Sequence, residues 1–509
     1  MAICADEEPT CGATRGDRAE IESLLEVFGV EDSSTPARCA PEASTKAEGD
    51  DPGVAFRAIA VLGAPGDSIP SPSSDEVERE DLTEMFETTS VGLTPRLDSE
   101  ASPESALSSI RSFLAIATRS AYNVGGRRRG PGRASYQSFS TLRVSGRGRL
   151  EIDVRDGLEA VAAVRGFRDY IYAAKGRDRF ADDVLDEYES DVDVDDLFFR
   201  WRASDSLDFT VGRQRVVWGA LDDFRVVDVL NPLDLREPGQ TDLRDLRLPV
   251  ASTRVDYSVS SFQLTGVVIH ETRFDDIPVP GGEFFPDDEP LPAEQVPGNG
   301  GGNTEYGLRL GGSFEGFDAA VQFARVFDDS SYFDAGELRR RHARTRMVGF
   351  SLSSVSGDLL FKADAAHISG LKFFGAPGET RRRIDIGAGL EYTGLTDIFL
   401  SAELVARRLD EFGSELRNDV DQEVRTRVAA ALRGSWTTLR GRLTLNGFGL
   451  ALGPSAREGS IIRLDAEYSF TDAARFKIGA LLYPDADELP FEAFDRSDRI
   501  FLEFTYDVR

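Results

Sequence analysis

From residue 110 onward the chain is a succession of segments of about ten residues in which apolar and polar side chains alternate, the repeat length of a membrane-barrel strand. Strict alternation puts every second side chain on one face of a β-strand. In 207–214, Leu207, Phe209 and Val211 stand on one face, and Asp208, Thr210 and Gly212 on the other. In the segment before it, Leu197, Phe199 and Trp201 oppose Asp196, Arg200 and Arg202. One apolar face per strand suits the inside of a soluble sandwich or the outside of a membrane barrel, and the links decide between them. Short links fall near 155–157, 203–206, 258–261, 312–316, 353–357, 393–396, 434–438 and 471–474. Longer ones alternate with them near 124–134, 174–190, 216–248, 271–303, 328–343, 370–381, 408–422, 453–459 and 484–496. Tight turns on one side and open loops on the other are the asymmetry of outer-membrane barrels, and Greek-key crossovers impose no such rule. The predicted fold class is all-β: a transmembrane antiparallel β-barrel of about 18 strands, an even number, with both termini periplasmic.

Hydropathy agrees. Mean hydropathy is -0.29, charged residues make up 29%, and no run approaches the ~18 apolar residues of a membrane helix. A barrel needs only every second strand residue to face lipid, so its average looks soluble. The net charge of -30 is uneven, with 23 Asp and Glu against 7 Lys and Arg in residues 1–100. That sign argues against a nucleic-acid partner. Residues 1–105, rich in Ser, Pro, Glu and Asp, read as an acidic, largely disordered periplasmic region ahead of an outer-membrane barrel at 106–509. Within it, Ile21, Leu24, Leu25 and Phe28 have helical spacing, as do Leu82 and Phe86: either docking helices or transient ones. All three cysteines, Cys4, Cys11 and Cys39, lie there, which leaves the barrel free of thiols. The first residues, MAICADEEPTCG, carry no basic n-region and no apolar h-region, so no signal peptide is read in this sequence.

The densest motif is GRQRVVWGALDDFRVVDVLNPLDLRE at 212–237. Gly212, Arg213, Gln214, Trp218, Gly219, Asp223, Asp228, Asn231, Pro232, Asp234, Leu235, Arg236 and Glu237, with Val217 one place late, follow a GRQ-x-V-x-WG and D-x-x-NP-x-D-x-RE pattern. It resembles the signature of an uncharacterised family of Gram-negative outer-membrane β-barrels related to alginate-export porins. The resemblance implies a passage rather than a reaction, and an inner-membrane exporter or periplasmic lipoprotein as a partner. The last segment, with Ile500, Leu502, Phe504, Tyr506 and Val508 on one face, looks like the C-terminal signal read by the barrel assembly machinery, although it ends Val508–Arg509 without a terminal aromatic.

The same stretch is the candidate site. Its charges, Arg213, Asp222, Asp223, Arg225, Asp228, Asp234, Arg236 and Glu237, are mixed with Trp218, Phe224 and Pro232. That is too apolar for a solvated loop and too charged for lipid. Folding back into the lumen satisfies both, with Asn231–Pro232 as the turn and Trp218 on the wall. The predicted constriction comprises Arg213, Arg225, Asp228, Asn231, Asp234, Arg236 and Glu237, facing the passage or scaffolding its mouth. A charge facing hydrocarbon near the midplane costs roughly 2–4 kcal/mol, so Arg143, Arg200, Arg202, Arg325, Arg425, Arg427, Arg442 and Arg463 are placed in the lumen. Arg200, Arg202, Arg425 and Arg427 join the pore-lining set. These arginines attract anionic solutes, or pair with Asp208, Asp256, Asp364, Glu403 and Asp465 to brace the wall.

Nothing in the chain points to catalysis or a cofactor. Its three histidines, His270, His342 and His367, are scattered and have no cysteine near them, so ligands for a metal or haem are lacking. The acidic run 182–196 lacks the glycine and terminal glutamate of a calcium loop and reads as solvated, and the Pro- and Gly-rich link 271–303 as exposed and mobile. Nine aromatics near the short links (Trp201, Tyr257, Phe262, Phe314, Phe317, Tyr392, Phe399, Phe470 and Phe476) are placed as a girdle. The expected function is an outer-membrane porin-like channel or transport barrel for hydrophilic solutes, anionic ones among them. The alternative is a non-conducting barrel in envelope assembly or lipid export with an inner-membrane exporter. Outer-membrane lipid is the expected surroundings in both.

Overall fold

The computed structural model describes residues 109–125, 135–241, 243–285, 290–418, 421–494 and 497–508. The expectations for residues 1–105 therefore lie outside the described residues. Eighteen antiparallel strands, from β1 (Ser109–Asn123) to β18 (Arg499–Val508), follow one another in chain order around a single sheet. β1 closes on β18 in a register from Leu114 opposite Val508 to Asn123 opposite Arg499. Closure leaves no free sheet edge where the strands overlap, so backbone groups there are met by neighbours on both sides.

The alternation read in the sequence turns the apolar face outward. On β18, Ile500, Leu502, Phe504 and Tyr506 are each 41–49% exposed, while Arg499, Phe501 and Asp507 between them are buried. Of the aromatic girdle, Trp201, Tyr257, Phe262, Phe314, Phe317 and Phe470 are exposed. Phe399 departs from the prediction: Leu400 beside it is exposed outside, and Phe399 shares the inward face of Ser401 and Glu403. Tight turns of two to four residues occupy one end of the barrel, for example 156–157 with Gly157 at φ 74° and 260–261.

Three predicted links are corrected. Around 328–343 the chain makes no open loop: β9 (Phe317–Asp334) and β10 (Arg339–Ser356) run on as a long hairpin with a bulge between His342 and Arg344. The link 270–304 gives that hairpin a partner, since Gln295 N–H donates to Arg340 O (2.9 Å) and Arg340 N–H to Ala293 O (3.0 Å). That link is itself partly folded in rather than wholly exposed. Phe284 and Phe285 are buried, and Phe284 packs against Tyr483 and Phe494 at ring distances of 5.7 and 5.3 Å. The acidic run 182–196 forms α2 (Asp182–Tyr188) and the start of β4 (Ser190–Ser204), preceded by α1 (Ile171–Lys175). Its apolar residues are what the solvated reading overlooked, for Val184 and Tyr188 bury against Ile171, Tyr172, Phe180 and Tyr136.

Candidate functional site

The link 215–249 leaves β5 (Leu207–Gln214), crosses the lumen and returns to β6 (Val250–Val259). Its two arms are tied by fully buried Asn231, whose Oδ1 accepts from Val216 N–H (2.7 Å) and whose Nδ2 donates to Leu248 O (2.8 Å). Asp228 makes the second tie, accepting from Trp218 N–H (3.3 Å) and from Arg247 Nε (2.6 Å). Arg225 donates within the loop to Asp228 O (2.7 Å) and Asn231 O (2.6 Å) and also faces Asp329 of β9 (3.7 Å). Asn231, Asp228 and Arg225 thus find hydrogen-bond partners within the loop itself, as buried polar groups require.

The far side of the loop docks on β8 (Glu305–Phe314) and the strands from β10 to β14 (Thr426–Thr438). Four successive N–H groups are held by two wall carboxylates. Asp364 of β11 (Leu359–Leu371) accepts from Ala220 (3.0 Å) and Leu221 (3.1 Å). Glu403 of β13 (Ile398–Asp410) accepts from Asp222 (2.8 Å) and Asp223 (2.9 Å). Lys362 bridges Asp222 (2.7 Å) and Glu391, and Arg433 pairs with Asp223. Between these contacts the apolar side chains bury: Trp218, Leu221, Phe224, Val226, Val227, Leu230 and Leu233 join one cluster with wall residues such as Ala324, Ala366 and Ala431. Each large side chain so buried contributes about 1.5–3 kcal/mol. The wall is pared down to receive them. A Cβ on Gly307 would come within 2.4 Å of the Trp218 ring, and one on Gly387 within 2.3 Å of Leu221.

The near side meets the strands before β5 through charge. Glu237 takes a bidentate pair from Arg143 of β2 (Ser138–Arg155), at 2.7 and 3.0 Å. Asp245 is paired with Arg147, and Arg215 reaches Asp195 and Asp196 of β4 while donating to Arg247 O (2.7 Å). Arg236 is held by Asp234 (2.8 and 2.7 Å) and by Glu187 of α2 (2.6 Å), which links the inward loop to the cap over the mouth. Tyr483 Oη donates to Pro238 O (2.6 Å) and Arg499 to Gln240 Oε1 (3.2 Å). Arg147 and Arg149 on the inner face of β2 stay about a third exposed, at 29% and 35%. Above the loop lies a cavity of about 130 Å³ lined by Arg225, Asp228, Asp275, Asp329, Arg407 and Arg427 among others.

Of the predicted pore-lining residues, Arg225, Asp228, Asn231, Asp234, Arg236 and Glu237 come together in the inward loop. Arg213, opposite Leu197 and Ala251 in register, pairs with Glu271 (3.0 Å) and Asp193 (3.6 Å). Arg200 and Arg202 stand near the tight-turn end of β4 beside Glu159 and Asp208, at 3.6 Å each. Arg427 is at the opposite end with Glu458 (3.4 Å) and Glu488 (3.3 Å), and Arg425 donates to Phe412 O (3.3 Å). Asp208, Asp256 and Asp465 pair with Arg202, Arg254 and Arg463 as bracing carboxylates. Asp364 and Glu403 instead receive backbone N–H groups. Lys362, Arg433 and Arg247 were not singled out by sequence, because their importance lies in what the loop brings to them. Arg325 is a correction: its register partners Tyr306 and Arg346 place it on the outer face.

Two carboxyl groups of the link 270–304 make the docking pH-dependent. Burial pushes Asp275 and Asp276 up to about 6. Asp275 Oδ1 accepts from Leu233 N–H (2.7 Å), and the Asp276 backbone bonds Leu235 N–H (2.7 Å) and donates to Leu233 O (2.8 Å). A carboxyl raised on docking binds a proton more tightly in the docked state, so docking weakens as pH rises from the ordinary carboxylate value, about 4, to about 6, and then levels off. Asp234 and Glu237 are shifted down, beside Arg236 and Arg143 respectively, and their effect runs the other way at lower pH. Single-channel records are expected to show fewer brief openings at pH 4.5 than at pH 7.5. The difference should shrink in Asp275→Asn/Asp276→Asn; an equal difference in that variant would refute the assignment.

The family model described as "Protein of unknown function (DUF1302)" matches residues 58–454, and the chain belongs to that family. No curated protein matches the chain. Among solved structures it is similar to OccK5 (OpdH) of Pseudomonas aeruginosa, at 10% identity over 80% of this chain and 99% of that one, with a TM-score of 0.47. It is also similar to OccAB1 of Acinetobacter baumannii (9% identity, 79% and 97% covered, TM-score 0.45). A third is the outer membrane channel DcaP of the same organism (10%, 78% and 97%, TM-score 0.39).

Proposed function

We propose that this member of the DUF1302 family spans the outer membrane of a Gram-negative bacterium, placed there by the barrel assembly machinery, and passes small hydrophilic solutes through a bore narrowed by the link 215–249. Barrels of 16–18 strands are wide enough for an aqueous channel, so what fills the lumen sets the passage. The observation that carries the reading is the loop's two-sided docking: apolar packing, backbone capping and the Lys362 and Arg433 pairs toward β8–β14, and ion pairs alone toward β2 and β4. Solute passes along the charged side, where Arg147 and Arg149 remain partly exposed beside Asp195 and Asp196. Anionic solutes are included, since a guanidinium offers donors beyond those its carboxylate uses. Because these arginines are matched by carboxylates, ion selectivity is weak.

The test is conductance of the purified chain in a planar bilayer. Small, steady openings with a reversal potential displaced only slightly toward chloride are expected. The loop's contacts around the wall also favour a second reading, a non-conducting barrel that works with an inner-membrane exporter. A silent wild-type barrel that conducts once the loop is removed would decide for it.

A further inference from the structure

Inward and outward arginines differ in this fold. Inside, Arg143, Arg147, Arg149, Arg215 and Arg433 each face a carboxylate. Outside, at the open-link end, Arg325 of β9, Arg346 of β10 and Arg382 of β12 (Arg381–Leu395) fall on one cross-strand row: Tyr306, Arg325, Arg346, Ser369, Arg382, Asp410. Arg408 of β13 lies one outward position nearer the middle of the wall, opposite Ile384. Arg346, Arg382 and Arg408 are exposed. Among the described residues none of the four has a carboxylate within ion-pair distance, Asp410 included, and Arg325 Nε is shut off from solvent with no hydrogen-bond partner.

The row marks a boundary. The outward positions below it carry the exposed, apolar Phe323, Val348 and Ile384, interrupted by His367 and ending at Arg408, and the row after that is apolar from Val321 through Phe350 and Ala365 to Ile386. From Arg346 to the turn after Ser356 is ten residues of strand, which at a tilt of about 40° climb about 25 Å, the height of a barrel's apolar band. Charges set at the upper edge of that band, with acyl-facing side chains directly beneath, meet lipid headgroups rather than water or protein. Neighbouring strands are about 4.8 Å apart, so Arg325 and Arg346 flank one headgroup position and Arg382 stands about 10 Å further round. Planar guanidinium forks bind phosphate oxygens in pairs.

We propose that Arg325, Arg346 and Arg382 hold the phosphate groups of an outer-leaflet phosphorylated glycolipid, lipid A, against the wall from β9 to β12. This rests on the outer-membrane reading, which puts the open links on the cell exterior. The test is native mass spectrometry of the purified full chain in detergent with diphosphoryl lipid A. The wild type should retain the lipid, Arg325→Gln/Arg346→Gln/Arg382→Gln should retain about ten-fold less, and Arg346→Gln alone should fall between. Equal retention by a triple variant that still migrates faster unheated than boiled overturns the proposal. Displacement of the lipid by millimolar inorganic phosphate would also overturn it, by showing a site for the free anion. A wild type without heat-modifiable migration would instead refute the barrel reading beneath it.

Discussion

Replacing residues 216–248 by a short Gly-Ser turn is expected to raise single-channel conductance by about ten-fold, because an 18-strand bore without an inserted segment is an open aqueous channel. The graft is feasible because Gln214 and Val250 are already register partners, so the ends to be joined stand side by side. The wall should survive. Its strands are held by a closed hydrogen-bond ladder that does not depend on what fills the lumen, and Asp364 and Glu403 would exchange loop N–H groups for water. Heat-modifiable migration checks the fold and planar-bilayer recording checks the bore. A folded variant with wild-type conductance would show that the link does not limit the passage.

The second large effect is expected from Asp228→Ala. Asp228 is 3% exposed and accepts from both Arg247 Nε and Trp218 N–H. Removing it leaves a buried guanidinium without its carboxylate, a loss of about 3–5 kcal/mol. Expressed on the equilibrium between docked and released loop, that is about a hundred-fold to about four-thousand-fold. The loop should then be cut by protease within 215–249 under conditions where the wild type is intact, and conductance should flicker between narrow and wide levels. Asp208→Ala is the matched control: Asp208 is 40% exposed beside Arg202, 71% exposed, and a pair of that kind contributes within about 1 kcal/mol. If the two variants behave alike, burial at Asp228 has been misjudged as the source of the loop's hold.

What the sequence by itself determined was local. Alternation within Leu207–Gln214 or Arg499–Val508 needs only neighbouring residues, so the strands, their apolar face and the alternation of turn and loop were legible. So was the inward course of 212–237, since no environment other than a lumen suits Trp218 and Phe224 among so many charges. What only the tertiary structure decided was which groups meet and at what height. Asp364 and Glu403 lie 144 and 180 residues from N–H groups they hold, at Ala220 and Asp223. That meeting exists because the closed sheet sets β11 and β13 across the bore from β5, a relation no local pattern encodes. Arg325 shows the same limit on the outside. The cost of facing an arginine toward hydrocarbon is real at the midplane and vanishes at the headgroups. Strand register, not alternation, sets how far along the wall a side chain stands, and so whether its charge meets acyl chains or phosphate.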